Sequence, residues 1–194
     1  MISNELVKEL RERSGISVME CKWALEEANG DIDGAVGILD RKFGGMASQK
    51  SSRELNAGIV DSYIHSNGKI GVLLSLHSET DFVSRNPAFR ELAHEISLHI
   101  AAMNPRFRSI EDIPADVAQQ YETDIRNEVA KLDKSKDIAD QIVEGKLESQ
   151  LGEIALLSQP FVKDPTKTVR NLVEEAVGKF GENIQVGKFV RYQI

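Results

Sequence analysis

The dipeptide Asn67-Gly68 is the feature that most restricts how this chain folds. Asn-Gly is the strongest short signal for a β-hairpin, because both residues accept the positive φ angles that a two-residue turn requires. The segments on either side, 58–66 and 69–77, have the composition of strands, and apolar side chains alternate onto one face of the second. We therefore predict two antiparallel strands joined at this turn.

Helical patterns fill the chain before the hairpin. Residues 1–43 predict three short helices, the second capped by Ser17 and the third by Asp31. The third is predicted to end near Gly44-Gly45. Helices this short share only a very small core, so we interpret this segment as a binding module rather than an enzyme.

Helices and one more strand are predicted after the hairpin. In chain order they are a helix that starts at Pro87 with Asn86 as its cap and extends to Met103, acidic helical segments from Pro114 to about Leu157 with a break at Asp133–Lys136, an amphipathic helix at Thr168–Phe180, and a last strand at Ile184–Ile194. Helices and strands therefore both belong to the second part of the chain.

The segment 44–56 separates these two parts. It is rich in glycine, serine and polar residues and has no sustained apolar stripe, which is typical of a linker. The predicted fold class is α+β. It consists of a three-helix module at 1–43, a linker at 44–56, and at 57–194 a small antiparallel sheet packed with helices.

Composition and charge exclude several classes of protein. The 194 residues carry a net charge of −7, whereas a general nucleic-acid binder needs a basic surface, so we expect no direct contact with nucleic acid. No apolar run approaches the roughly 20 residues of a membrane span. Cys21 is the only cysteine, which excludes a disulfide framework and a cysteine zinc cage. Residues 1–10 are charged and lack an apolar signal core, so we expect a cytoplasmic protein without membrane association.

The motifs of common enzymes are missing from the sequence. Neither of the two glycine-rich phosphate-binding loops is present, and we expect no cofactor. His77, Glu79 and Asp81 form the one group that resembles a metal or acid–base cluster, but polar residues at a strand end are the more common explanation. We therefore expect no metal site and no catalytic residue.

Five blocks of sequence, which lie in the same order over nearly the full chain, resemble one known family. They are Arg11–Asp31 with its run RERSGISVMECKWAL, 71–85 with Glu79-Thr80-Asp81-Phe82-Val83, His99–Pro105, Gln159–Asp164, and Gly181–Ile184. The family is bacterial elongation factor Ts. Any one block is a weak signal, whereas the five together are highly specific.

The resemblance implies an architecture as well as a family. The first three helices are similar to a ubiquitin-associated-type module, and the single copy of the core subdomain resembles the short form of the family, which pairs as a homodimer. The residues carry an expectation of their own, because Tyr63, Leu73 and Phe189 alternate with polar neighbours. These three side chains predict an apolar sheet face that a second copy covers, so 57–194 is also the predicted dimerisation domain.

The resemblance also implies an activity, which is guanine-nucleotide exchange on elongation factor Tu. The expected partner is this GTPase in its GDP-bound and nucleotide-free forms. The segment Thr80-Asp81-Phe82-Val83 matches the family's segment that enters the GTPase domain and disturbs its magnesium and phosphate site. The N-terminal module is expected to bind another surface of the same domain through Val18 and Met19. The family often has Gly-Met-Met where this chain has Ser17-Val18-Met19, so Val18 takes the first methionine's place.

The residues alone leave alternatives open. A phenylalanine at position 82 is more often packed in its own core than presented to a partner, and Val18 and Met19 are by default core residues of a small bundle. A ubiquitin- or peptide-binding adaptor that uses the N-terminal module is the second functional hypothesis. It leaves residues 58–194 unexplained. An enzyme is a distant third.

Overall fold

The computed structural model describes residues 2–14, 16–132 and 135–194. Its helices are α1 (Asn4–Ser14), α2 (Val18–Glu27), α3 (Ile32–Lys50), α4 (Asp81–Ser84), α5 (Pro87–Met103), α6 (Ala115–Val129), α7 (Lys136–Ile154) and α8 (Val169–Phe180). Its strands are β1 (Ala57–Ile64), β2 (Ile70–Ser78), β3 (Pro160–Phe161), β4 (Asp164–Thr168) and β5 (Ile184–Gln193). Short 3-10 segments lie at 110–112, 130–132 and 156–158. The α+β class predicted from the sequence is confirmed.

The first three helices form a small bundle around their own apolar cluster. Leu10, Leu25 and Leu39 are among its fully enclosed side chains. The side chain of Ser17 accepts a hydrogen bond from the Glu20 N–H, and that of Asp31 accepts one from the Gly34 N–H. The predicted caps of α2 and α3 are therefore confirmed, because each satisfies a backbone donor that the helix leaves free.

The third helix is longer than the sequence predicts. It continues through Gly44-Gly45 to Lys50, so residues 44–50 of the predicted linker are helical and only 51–56 lack regular structure. Packing against α8 explains the difference: Phe43 lies directly over Gly178, where a Cβ would collide with its ring. Tertiary contact thus outweighs the low helix propensity of the glycines.

A three-stranded antiparallel sheet forms the second part of the molecule. The strand order is β1-β2-β5, and β1 and β2 are joined at Asn67-Gly68, where Gly68 has a φ of +68°. The predicted hairpin is therefore confirmed, but its loop is longer than the predicted two residues, since the pairing ends at Ile64 and Gly71 and only Gly68 of the dipeptide has a positive φ. Helices α5 and α8 cover the inner face of the sheet and build the main core with it, around Phe89, Leu74 and Leu76.

The ends of the two covering helices follow local signals in the sequence. Asn86 caps α5 by accepting a hydrogen bond from the Ala88 N–H, with Pro87 at the first helical position. Thr168 and Asn171 form a reciprocal capping box at the start of α8, and Gly181 ends that helix with a φ of +72°. Both helices lie where the sequence predicts them.

The acidic region forms a helical hairpin of α6 and α7. It holds a cluster of its own, in which Ile125, Val129 and Val143 are buried. The helix start predicted at Pro114 is confirmed, since α6 begins at the next residue. Asp133 and Lys134, which belong to the predicted break, lie outside the described residues. The small β3–β4 ribbon follows and has no counterpart among the predicted elements.

The prediction for the outer face of the sheet is wrong for two of its three residues. Tyr63 and Phe189 turn inward and pack against the main core, whereas Leu73 points outward. A register shift between β2 and β5, at Leu74/Leu76, changes the alternation along β5 and brings Phe189 to the inner side. The apolar side chains exposed on the outer face are Val60, Ile64, Leu73, Val190 and Tyr192.

Within residues 2–14, 16–132 and 135–194, no helix is both long and apolar enough to cross a bilayer.

Candidate partner-binding site

The turn between β2 and α5 presents one aromatic ring to solvent. Phe82 lies in the one-turn helix α4 and is 85% exposed, whereas the next residue, Val83, is 3% exposed and belongs to the main core. Ser84 is also buried. Phenylalanine is more often buried than exposed, so a ring in solvent beside a buried valine is an uncommon arrangement.

Hydrogen bonds hold this turn on both sides of Phe82. The Ser84 hydroxyl donates to the Asp81 carbonyl at 3.1 Å, and the Ser78 hydroxyl donates to the Thr80 carbonyl at 3.1 Å. Thr80 is the N-cap of α4, but its hydroxyl donates to the Glu182 carboxylate at 2.6 Å instead of capping the helix. The turn therefore depends on residues that are distant in the sequence.

Asp81 is exposed beside Phe82 and pairs with Arg85 at 3.2 Å within the same turn. Both side chains are mostly in solvent, and an exposed pair of this kind contributes little to stability. Asp81 therefore presents its carboxylate next to the ring at small cost to the fold.

The N-terminal bundle carries a second exposed apolar surface, on α2. Its members are Val18, which is 49% exposed, Met19, which is 82% exposed, and Trp23, which is 39% exposed. Met19 and Trp23 are four residues apart and thus neighbours on one side of the helix. The Lys42 ammonium lies 4.2 Å from the centre of the Trp23 ring. We call Val18, Met19 and Trp23 the α2 patch.

The structure thus places the six candidate residues in different environments. Thr80, Asp81 and Phe82 are exposed on the turn, Val83 anchors that turn from inside the core, and Val18 and Met19 lie exposed on α2. Trp23 and Glu182 were not among the predicted site residues. Helical spacing from Met19 is a signal for Trp23, whereas Glu182 lies too far along the chain for any local pattern to reveal it.

The three polar side chains considered as a metal or acid–base cluster have separate contacts. His77 contacts the Ser75 hydroxyl at 3.2 Å, Glu79 accepts from the Asn183 N–H, and Asp81 pairs with Arg85. Across the described residues, no group of three or more His, Cys, Asp or Glu side chains is arranged to hold a metal ion.

Comparison with known proteins identifies close relatives. A family model described as Elongation factor TS matches residues 46–194. Elongation factor Ts of Fervidobacterium nodosum is 47% identical over 193 residues, which cover 100% of this chain and 98% of the relative. The same factor of Thermodesulfovibrio yellowstonii is 49% identical over 193 residues, with 100% and 96% covered, and that of Thermosipho melanesiensis is 45% identical over 194 residues, with 100% and 99% covered.

Proposed function

Because the chain belongs to the elongation factor Ts family, we propose that it promotes the release of GDP from the translational GTPase elongation factor Tu. The observation that carries this proposal is Phe82, an exposed ring held by a turn whose next side chain, Val83, is buried. Such a ring is available to a partner pocket without rearrangement of the core. An exchange factor makes and breaks no covalent bond, so the proposed activity is not enzymatic. Because elongation factor Tu acts in translation, we propose that this protein works in the cytoplasm.

The mechanism rests on how sensitive a magnesium site is to displacement. Magnesium bridges protein and phosphate oxygens in a strict octahedral arrangement, so a small shift of its surroundings weakens nucleotide binding strongly. Phe82 and Asp81 are the groups that enter the GTPase beside this site. The factor accelerates exchange because it binds the nucleotide-free form of its partner better than the GDP-bound form.

The α2 patch supplies a second contact with the same partner. Met19 and Trp23 expose apolar surface from a rigid helix, and methionine and tryptophan both suit protein interfaces. The contact adds affinity and need not change as the nucleotide leaves. The module therefore binds the GTPase while the turn disturbs its nucleotide site.

A homodimer through the outer face of the sheet completes the proposal. Val60, Ile64 and Tyr192 are each about 70% exposed on that face, and the two remaining apolar side chains lie beside them. Burial of a continuous apolar face against a second copy removes it from water. Light scattering at micromolar concentration is expected to give about twice the 21.5 kDa chain mass. Leu73→Glu is expected to give a folded monomer, and a monomeric parent protein would contradict the proposal.

Release of labelled GDP from purified elongation factor Tu tests the exchange activity directly. We expect addition of this protein to accelerate release, and Phe82→Ala to remove most of the acceleration. The α2 patch also suits an adaptor that binds ubiquitin or a peptide. No acceleration by the unaltered chain would favour that second function.

A further inference from the structure

Helix α4 is too short to be stable by its own hydrogen bonds. A single turn carries the full cost of helix nucleation, and isolated helices of this length do not persist in water. Val83 and Ser84 fix the turn from the side of the core, but Asp81 and Phe82 are exposed. The position of the ring therefore depends on what holds the segment just before it, at Thr80.

One carboxylate takes both donors of Thr80. The Thr80 backbone N–H donates to Glu182 Oε2 at 3.0 Å, and the Thr80 hydroxyl donates to Glu182 Oε1 at 2.6 Å. Hydrogen bonds to an ionised carboxylate are about twice as strong as neutral ones, and two bonds to one group also fix its orientation. Glu182 lies in the turn between α8 and β5, 102 residues further along the chain.

A second pair of residues, Glu79 and Asn183, is hydrogen-bonded next to the pair of Thr80 and Glu182. The Asn183 backbone N–H donates to the carboxylate of Glu79, which also lies 3.4 Å from the Arg53 guanidinium. The Asn183 side chain donates to the Arg53 carbonyl at 2.9 Å. Residues 79 and 80 are thus interlocked with residues 182 and 183, so the start of α4 is tied to the turn after α8.

The location of Glu182 is unfavourable for an acid. It directly follows the C-terminus of α8, where the partial charge of the helix end is negative and basic side chains are preferred. Within the part of the chain that the structure describes, its carboxylate has no Lys, Arg or His nitrogen within 4.0 Å. In the folded protein the Glu182 carboxylate is therefore stabilised by the two hydrogen bonds that Thr80 donates to it.

We propose that Glu182 is a positioning residue that holds the Thr80–Phe82 segment in the conformation that presents Phe82 to the GTPase. The proposal rests on the exchange function proposed above. Glu182 acts through Phe82, so its loss matters for exchange only as long as the ring is present.

A double-mutant cycle tests the link between Glu182 and the ring. Glu182→Gln keeps the size of the side chain but removes the charge and one acceptor, and we expect about tenfold lower exchange efficiency. The double variant Glu182→Gln with Phe82→Ala is expected to be no slower than Phe82→Ala alone. Effects that multiply instead would overturn the proposal, since Glu182 would then act independently of the ring.

Hydrogen–deuterium exchange tests the conformational part without the GTPase. In the free Glu182→Gln protein we expect about tenfold faster exchange at the amides of Thr80 and Ser84, with the sheet amides unchanged. Unchanged exchange at these amides would overturn the proposal. If the parent chain fails to accelerate GDP release from elongation factor Tu, the proposed function is wrong. The hydrogen–deuterium exchange measurement still decides whether Glu182 holds the turn.

Three further variants separate positioning from other effects. Glu148→Gln makes the same charge change on the exposed side of α7 and is expected to leave both readouts unchanged. Thr80→Val removes the hydroxyl donor and is expected to behave like Glu182→Gln, whereas Thr80→Ser keeps that donor and is expected to restore exchange. A loss with Glu148→Gln equal to that with Glu182→Gln would assign the effect to net charge and contradict the proposal.

Discussion

The α2 patch and the Phe82 turn are both exposed apolar surfaces, but they are held in different ways. Helix α2 has ten residues, a side-chain cap at Ser17 and a buried face in the bundle, so its exposed residues sit on a regular scaffold. Helix α4 has four residues and presents a single ring, and its N-terminal end is fixed by Glu182.

This difference indicates which step of nucleotide exchange, binding of the GTPase or release of GDP, each surface suits. A broad patch on a rigid helix adds affinity in every state of the partner, which changes KM more than kcat. Exchange requires a contact that favours one state of the partner over another, and we propose that the single ring on the turn makes this contact. On this proposal α2 supplies binding and the turn supplies nucleotide release.

The largest expected effect concerns a buried contact between helix α8 and the bundle that carries the α2 patch. Phe43 is 3% exposed, belongs to the bundle cluster and lies against Gly178 of α8. Phe43→Ala leaves a cavity there and is expected to lower the free energy of unfolding by about 3–5 kcal/mol. Urea unfolding followed by circular dichroism measures this. Phe43→Leu is the milder control, and a loss below about 1 kcal/mol for the alanine variant would show that other contacts join the two parts.

The next effect tests the role of the turn. Phe82→Ala is expected to remove roughly 1.5–3 kcal/mol of apolar burial at the interface, which is about one to two powers of ten in exchange efficiency. The melting temperature is expected to stay nearly the same, because the ring is already in solvent. Ile138→Ala, at an exposed position on α7, is the matched control with normal exchange. A large fall in melting temperature with normal exchange would refute the assignment.

A smaller effect is expected on α2. Met19→Ala and Trp23→Ala are each expected to lose about 1 kcal/mol of binding, which raises KM for the GTPase about fivefold and leaves kcat nearly unchanged. Steady-state GDP release over a range of GTPase concentrations separates the two constants. Met103→Ala, another exposed methionine, serves as the control. A fall in kcat in either variant would contradict the proposal that α2 contributes to binding and not to nucleotide release.

The smallest effect is a pH dependence at the other end of α5, the helix that follows the turn. His99 is fully buried, with Nε2 2.9 Å from the Gln159 side-chain oxygen and Nδ1 accepting from the Val162 N–H. Burial lowers the pKa of His99 below 6.5, while the hydrogen bond that its Nε2–H donates to the Gln159 side-chain oxygen opposes this shift. Because Nδ1 accepts a hydrogen bond, the neutral ring carries its proton on Nε2.

The sign follows from proton linkage. The unfolded chain takes up a proton as the pH falls through 6.5, whereas the folded chain takes it up only at a lower pH, so the contribution of His99 to stability is full above pH 6.5 and is lost as the pH falls below it. Thermal melts between about pH 7.5 and 5.5 measure the slope. His99→Gln is expected to reduce the slope. Exchange at neutral pH is expected to be normal in this variant, and a slope equal to that of the parent protein would contradict the prediction.

Local signals in the sequence predicted much of the fold. Asn67-Gly68 at the hairpin, Asn86-Pro87 at the start of α5 and Gly181 at the end of α8 each act within a few residues. The extension of α3 to Lys50 was missed because it depends on packing against α8, which no short window contains.

The faces of the sheet were predicted less well for two physical reasons. Asp61 is an acidic residue on the inner side of β1, where it lies 3.6 Å from His94, and this interrupts the apolar alternation that would place Tyr63 inward. In β5 the irregularity after Val186 places Val186 and Phe189 on the same side, although they are three residues apart.

The candidate site was predictable only as a sequence motif. The residue type of Phe82 by itself favours a buried ring, whereas the match of Thr80–Val83 to the family's segment predicts an exposed one, and the structure places the ring in solvent. Its support from Glu182 spans 102 residues and has no local signature.

The α6–α7 hairpin has a consequence for the use of this protein as a tool. Its small cluster around Ile125 and Val143 is separate from the main core and from the bundle cluster. A segment that encloses its own apolar side chains opens, and tolerates added sequence, with little effect on the rest of a domain. A fluorescent or affinity domain inserted between α6 and α7 is therefore expected to label the protein while the Phe82 turn and the α2 patch stay intact.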